Sequence, residues 1–430
     1  MGNIYYCLQG ASSCPTPPDK KHQANARCGK PDENSLTSKL DACFHPVFPA
    51  TQTVTNILRE IRQRDFSLDG LAEAYPDLNL LKGVKQNPQY HAEGDVYRHT
   101  GLVCEEMRKL GQWQRLSERE QELLFLAGAF HDIGKPACTR LEDGKWTSPK
   151  HTIVGEKVFR AMAYRGQERF GLTFEEREQT ARLIRYHGLP VWFWTKRRPE
   201  FDLLKAAESV PLEFLHLLSL ADAMGRISRE PEDLRGHIEL FYDYGKELGV
   251  LKGPYPFANA YTRYQYFHRD SLWQGSTLYD DTEFDVWLMS GLPLAGKDTW
   301  VRDHGAGKPV ISLDDIREEY NIAPGEKSAK VASIATKRAR ELLRQKEPFI
   351  WNATNIIQET RQKLCGLFSA YGARVRIVYL EAPYRELLRR NEKRSRHIPV
   401  SVLERMIDKL EIPAGWEGYE VLRLPGHVRE

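Results

Sequence analysis

The run Phe284-Asp285-Val286-Trp287-Leu288-Met289 leads almost directly into Gly291-Leu292-Pro293-Leu294-Ala295-Gly296-Lys297. No other stretch of the 430 residues restricts folding as much. An apolar segment followed by Gly-x4-Gly-Lys predicts a strand, a tight loop and a helix. The glycines let backbone N–H groups wrap a polyphosphate, and the lysine reaches its β and γ groups. Ser or Thr normally follows that lysine and binds Mg²⁺. Here the position is Asp298, so either Asp298 holds the metal through a water or Thr299 takes the role. Further strand candidates lie at residues 309–312, 348–352 and 375–380, with helical patterns between them. Strands alternating with helices predict a parallel sheet with right-handed crossovers, so residues 282–430 read as an α/β domain.

Residues 49–267 have a different texture: helical apolar spacing (Ile57, Leu58, Ile61; Leu102, Val103, Met107, Leu110) and no alternating strand of convincing length. This stretch reads as an all-α domain. Its apolar run at residues 123–130 closes on His131-Asp132, and Gly134 with Pro136 supplies the stop signals. An adjacent His-Asp pair at a rigid helix end brings a nitrogen and an oxygen ligand to one place. His99 opens another apolar helix, His151 and His187 follow, and Asp222 lies late in a further apolar stretch. Four imidazoles and two carboxylates suit two first-row divalent metals. Such ions generate hydroxide at neutral pH and clamp the oxygens of a phosphoester. Lys135, one turn beyond the pair, is placed to neutralise a phosphate oxygen.

Composition adds bounds rather than detail. Hydrophobic residues at 41% and charged residues at 28% are ordinary for a globular chain, and there is neither an apolar run of membrane-spanning length nor a signal pattern. The expectation is a cytoplasmic protein that avoids membranes. A net charge of +3 does not by itself argue for nucleic acid. Seven scattered cysteines argue for reduced thiols. Residues 1–48, which hold Cys7, Cys14, Cys28 and Cys43, read as a disordered or artefactual tail, with a zinc knuckle as the alternative. The joint between the halves is expected within the Tyr-rich passage at residues 253–279, with residues 268–281 as its core.

Two segments of the second half suggest catalysis. Asp314, in Ser312-Leu313-Asp314-Asp315-Ile316-Arg317, falls at a strand's carboxyl end beside the phosphate loop, where it can accept a proton from an attacking hydroxyl. Arg317 is expected in the first helical turn, facing the same crevice. Residues 389–399 pack five basic side chains and His397 after the fourth strand, where a lid would bring arginines onto the transferring phosphoryl group. In the first half, Trp192, Phe193 and Trp194 precede Lys196-Arg197-Arg198. They either stack on a base and bind phosphates or form a mixed surface loop.

The order His, His-Asp, His, His, Asp resembles the HD phosphohydrolase superfamily over roughly residues 50–250. That likeness implies that His99, His131, Asp132 and Asp222 hold one transition metal (Mn, Ni, Co, Fe or Zn), while His151 and His187 hold a second with Asp132 bridging. The second half resembles the phage-type 5′-polynucleotide kinases in three pieces: the phosphate loop (Gly291, Gly296, Lys297), Asp-Asp-x-Arg at 314–317, and Arg-Asn-x-Lys-Arg at 390–394. The resemblance implies ATP or another NTP with Mg²⁺, Lys297 on the phosphates, Asp314 as general base, Arg317 on the phosphate flanking the acceptor, and Arg390 with Arg394 in the lid. Together the halves resemble the bacterial end-healing enzymes called HD-Pnk. Those process 2′,3′-cyclic or 2′/3′-phosphates and 5′-hydroxyls of RNA or DNA ends, and a ligase is the implied partner. The alternatives are a nucleotide phosphohydrolase fused to a nucleoside kinase, and a non-catalytic ATP-gated sensor of nucleic acid.

Overall fold

A computed structural model describes residues 56–228, 231–323, 325–395 and 397–426. The tail at 1–48 with its four cysteines, and Arg396 of the basic segment, lie outside the described residues.

The first half is helical, and five helices position its site. Helix α1 (Val96–Lys109) is capped by Asp95, whose carboxylate accepts the Arg98 N–H, and it buries Val96, His99, Thr100, Val103 and Met107 at helical spacing. Helix α2 (Glu118–Phe130) begins in a Ser117/Glu120 capping box and is buried continuously from Glu122 to Phe130, so it forms the centre of the half. Helices α3 (His151–Arg165), α4 (Phe174–Tyr186) and α5 (Leu212–Met224) surround it. Glycine permits one close crossing: a Cβ at Gly225, just past α5, would lie 2.8 Å from the Val103 backbone nitrogen of α1. A short antiparallel hairpin, β1 (Arg140–Glu142) with β2 (Lys145–Thr147), interrupts the helices, contrary to the strand-free reading. Its two-residue turn is Asp143-Gly144, both at positive φ. Three-residue strands are too short to leave an alternating pattern.

The passage expected to be a joint contains helix α6 (Ala260–His268), in which Tyr264 stacks on His268. Residues 269–283 carry no helix or strand.

The second half is a five-stranded, all-parallel sheet in the order β4-β5-β3-β6-β7. The strands are β3 (Phe284–Ser290), β4 (Val310–Ser312), β5 (Phe349–Asn352), β6 (Ala373–Glu381) and β7 (Glu420–Pro425). The first four coincide with the sequence-predicted strands. β7 was not foreseen: it is an edge strand with mostly exposed residues, so its sequence has no apolar run. Val286, Leu288, Phe349, Trp351, Val375 and Ile377 belong to one core, and Met289, Ile350, Val378 and Leu380 to another with Trp300. The phosphate loop joins β3 to α7 (Lys297–His304). Helices α8 (Leu313–Glu319), α9 (Ser328–Gln345), α10 (Gln358–Ser369), α11 (Tyr384–Glu392) and α12 (Val400–Asp408) complete the half.

The halves share a packed seam. Ala161 and Tyr164 of α3 enter one apolar cluster with Leu292, Tyr379, Ala382 and Leu403. The Tyr164 hydroxyl donates to the Ala382 carbonyl at 2.6 Å. Arg160 and Arg182 donate to the carbonyls of Leu410 and Ile412, and Arg165 pairs with Glu404 and Asp408. Arg177 of α4 grips Glu381, the last residue of β6, through two bonds of 2.8 Å.

Candidate functional site

The metal-ligand candidates all come from helix ends or the last turns of helices, and they converge. His131 caps α2, His151 opens α3, His187 caps α4, and Asp222 sits in the last turn of α5. Three imidazoles are aimed by one device, a Nδ1–H that donates to the carbonyl three residues earlier. The bonds are His131 to Gly128 at 2.7 Å, His151 to Ser148 at 2.8 Å and His187 to Ile184 at 2.9 Å. Each Nε2 is thereby left for the centre. There His131 Nε2 lies 3.2 Å from Asp132 Oδ2, while His151 and His187 Nε2 lie 3.5 and 4.0 Å from Asp132 Oδ1. His99 Nε2 meets Asp222 Oδ1 at 3.0 Å, and the His99 and His131 rings are 5.5 Å apart. All six predicted ligands are therefore in one cluster.

This cluster suits cations. His131 Nε2 and Asp132 Oδ1 are buried and make no hydrogen bond, an arrangement that costs free energy unless something else meets them. Burial, reinforced by the neighbouring His131, drives His187 down to about 3, and burial also lowers His151. Burial opposes protonation of His131 too, but Asp132 and Asp222 outweigh it. Neutral imidazoles at His151 and His187 with ionised carboxylates at Asp132 and Asp222 are donors of the kind a divalent transition metal requires. Two three-ligand groups, His99–His131–Asp222 and His131–Asp132–His187, are compact enough to hold an ion.

Several participants had little or no signal in the sequence. Glu93 accepts from Nδ1 of His91 (2.8 Å) and from the Ile227 N–H, and His99 Nδ1 lies 2.9 Å from the same carboxylate. Burial works against the Glu93 carboxylate, yet these bonds hold it well below the usual range, and they fix the His99 ring. The local clue was only His-x-Glu-Gly ahead of α1. Arg226 pairs with Asp222. Lys135 is buried, with its ammonium 2.6 Å from Asp132 Oδ2 and 2.7 Å from Gln86 Oε1. In this state it neutralises the ligand carboxylate, whereas the sequence suggested that it would meet a phosphate.

At the phosphate loop, Gly291 (φ 141°) is obligatory, because a Cβ there would lie 2.3 Å from the Leu380 carbonyl oxygen of β6. Gly296 (φ 104°) caps α7. The Lys297 ammonium donates to the Gly291 and Leu292 carbonyls at 3.1 and 2.8 Å, and burial lowers it to about 8 against the pull of Asp298 and Asp314. Asp298 accepts from Asn352 Nδ2 at 2.7 Å. A cavity of about 420 Å³ is lined by Gly296, Lys297, Asp298, Thr299, Arg390 and Arg394. Arg390 spans its edge, donating to the Leu294 carbonyl and to Glu386. Asp314, exposed in the first turn of α8, is near enough to act on Lys297 but does not line the cavity. Arg317 departs from expectation. It falls in the last turn of α8, and its guanidinium donates to the carbonyls of Ala323 and Glu326 and to Ser328 Oγ. The carbonyls and the hydroxyl of the following loop, three acceptors within 3.1 Å, hold it away from the open crevice.

Comparison with known proteins agrees with this geometry. Residues 95–227 match the HD domain family and residues 286–413 match the AAA domain family. The chain is 36% identical over 95 residues to the multifunctional CCA protein of Hahella chejuensis, covering 22% of this chain and 20% of that protein. It is 25% identical over 133 residues to the L-seryl-tRNA(Sec) kinase of Methanococcus maripaludis, covering 29% and 52%. The alignments thus span about half or less of these relatives. Fold and sites together define an all-helical HD domain of the phosphohydrolase type, followed by a parallel-sheet domain of the P-loop kinase type. No described helix is long and apolar enough to cross a membrane.

Proposed function

We propose that the chain heals broken nucleic-acid strands. The HD half hydrolyses a 2′,3′-cyclic phosphate or a 2′- or 3′-phosphate at one end, and the kinase half transfers phosphate from ATP to a 5′-hydroxyl. The carrying observation is that a buried His/Asp cluster with unspent Nε2 and carboxylate atoms shares one compact unit with a phosphate-loop cavity edged by Arg390 and Arg394. His99, His131, Asp132, His151, His187 and Asp222 would hold divalent metals, which supply Lewis acidity and a hydroxide at neutral pH when bound. Glu93 and the three backbone carbonyls keep the imidazoles oriented, and Lys135 stands ready to exchange Asp132 for a substrate oxygen. In the other site Lys297 gives up two carbonyls to meet the triphosphate. Asp314 is the acceptor for the proton of the attacking hydroxyl.

One observation favours a nucleoside kinase instead. Arg317, the one basic residue of α8, is occupied with its own loop rather than free to meet a flanking phosphate. An oligonucleotide bearing a 5′-hydroxyl and a 2′,3′-cyclic phosphate, offered with labelled ATP beside free nucleosides, separates the two readings. End healing requires label on the oligonucleotide and opening of its cyclic end. Asp314→Asn should abolish only the first and Asp132→Asn only the second. Label confined to nucleosides would overturn the proposal.

A further inference from the structure

The cluster opens into a cavity of about 780 Å³, toward the upper end of the roughly 300–1,000 Å³ typical of small-ligand pockets. Only its inner end is metal chemistry: Asp132, Lys135, His151 and His187. Another part of its lining comes from the kinase half, through Gln358 at the start of α10, Glu411 and Trp416. Glu411 is pinned by Lys157 and by the Gln358 N–H, and the Trp416 ring lies against α6 through Phe267 and His268. The wall is therefore built and held by residues of both halves.

Three features of the cavity lining away from the six clustered side chains are left without a partner that explains them. Trp416 is 3% exposed, and its indole N–H has no hydrogen-bond partner. The Lys205 ammonium rests over the same ring, 4.0 Å from its centroid. On the rim Trp192 and Trp146 keep 51% and 36% of their surface exposed although both border the cavity. A buried donor without an acceptor, a cation beside it and open indole faces call for a ligand that carries acceptors, negative charge and a flat ring. A phosphodiester supplies the first two, and its neighbouring base supplies the third. Gln86 repeats the pattern at the metal end, where its buried Nε2 also lacks a partner.

We infer that the far half of the cavity is a subsite for the nucleotide preceding the reacting 3′ end. Lys205 and the Trp416 N–H hold its phosphodiester, and its base stacks on Trp192. The inference rests on the phosphoesterase reading and adds where the nucleotide before the reacting end is held. Binding energy from that distant unit is available to the reaction at the metals, so a truncated substrate loses rate as well as affinity.

The test compares kcat/KM for a 3′-phosphorylated mononucleoside with that for a dinucleotide ending in the same group, in wild type, Trp192→Ala and Lys205→Ala. Base stacking on an aromatic ring contributes roughly 1–3 kcal/mol, so wild type should favour the dinucleotide by about 5- to 150-fold. Each variant should shrink that preference severalfold, with Trp416→Phe, which keeps the ring and deletes the N–H, shrinking it as well. Titration calorimetry with a 5′-phosphorylated, 3′-hydroxyl dinucleotide gives a reading independent of turnover, and both alanine variants should weaken it. Equal wild-type kcat/KM for the two substrates, or an unchanged preference in both alanine variants, overturns the subsite. No turnover of either substrate, with calorimetric binding still sensitive to Trp192 and Lys205, sinks the phosphoesterase reading and leaves the subsite standing.

Discussion

Removing Arg177 tests whether the two halves behave as one folded body. Its guanidinium and the Glu381 carboxylate are 5% and 6% exposed and meet through two bonds of 2.8 Å. Arg177 also lies 5.4 Å from the centre of the Tyr164 ring and 2.9 Å from Glu178. In Arg177→Ala, Glu381 keeps the Tyr379 hydroxyl at 2.7 Å but loses its cation. Stranding one member of a buried pair costs about 3–5 kcal/mol, a large share of the roughly 5–15 kcal/mol that stabilises a typical domain. Replacing both members, Arg177→Met with Glu381→Gln, leaves no stranded ion, keeps an acceptor for the Tyr379 hydroxyl and should return the protein to within about 1–2 kcal/mol of wild type. Urea unfolding followed by tryptophan fluorescence measures all three proteins. The single variant should unfold at clearly lower urea, and the double variant should recover most of the difference. A loss below about 1 kcal/mol in Arg177→Ala, the range of exposed pairs, would mean that water reaches Glu381 and that the seam does not close as described.

Three further expectations follow from the geometry. A Cβ on Gly134 would stand 2.1 Å from the His151 carbonyl oxygen and 2.6 Å from the Gly155 nitrogen. Gly134→Ala should therefore displace the start of α3, costing about 1–3 kcal/mol in a thermal melt and lowering bound metal in elemental analysis, while Gly111→Ala, which meets nothing within 4 Å, should do neither. Lys297 titrates near 8 because burial disfavours its charge, and a triphosphate restores that charge. ATP binding at pH 8 should then take up roughly half a proton and at pH 6 almost none from this group, read as buffer-dependent heat in calorimetry; equal heats across buffers at pH 8 would contradict it. Chelation should silence both activities, with the HD half rescued by a transition metal better than by magnesium, as an imidazole-rich site demands; equal rescue by magnesium would count against that site.

What could be read ahead of the structure was local or carried by residue type. β3, β5 and β6 are buried apolar strands, and the Gly-x4-Gly-Lys spacing fixes a loop whose backbone has few alternatives. The clustering of the six side chains was legible because imidazoles and carboxylates at apolar helix ends have few structural uses. Features that depend on distant partners were not legible. Glu93 matters only because α1 and Ile227 bring it to His99, and Trp416 lies more than 280 positions from Asp132 although both border one cavity. Arg317 was misread for the same reason: helical register placed it near the crevice, but the competing carbonyls of the following loop have no signature in a string of residues. β7 and the 140–147 hairpin were missed because an exposed edge and a three-residue strand carry too little apolar content.

Along the seam the HD half contributes cations (Arg160, Arg165, Arg177 and Arg182), and the kinase half answers with carboxylates and carbonyl oxygens. A gene fusion that swapped in a foreign kinase would leave these guanidinium groups facing surfaces not shaped for them. The two halves thus form a matched set, and a change of charge on one side needs an answering change on the other.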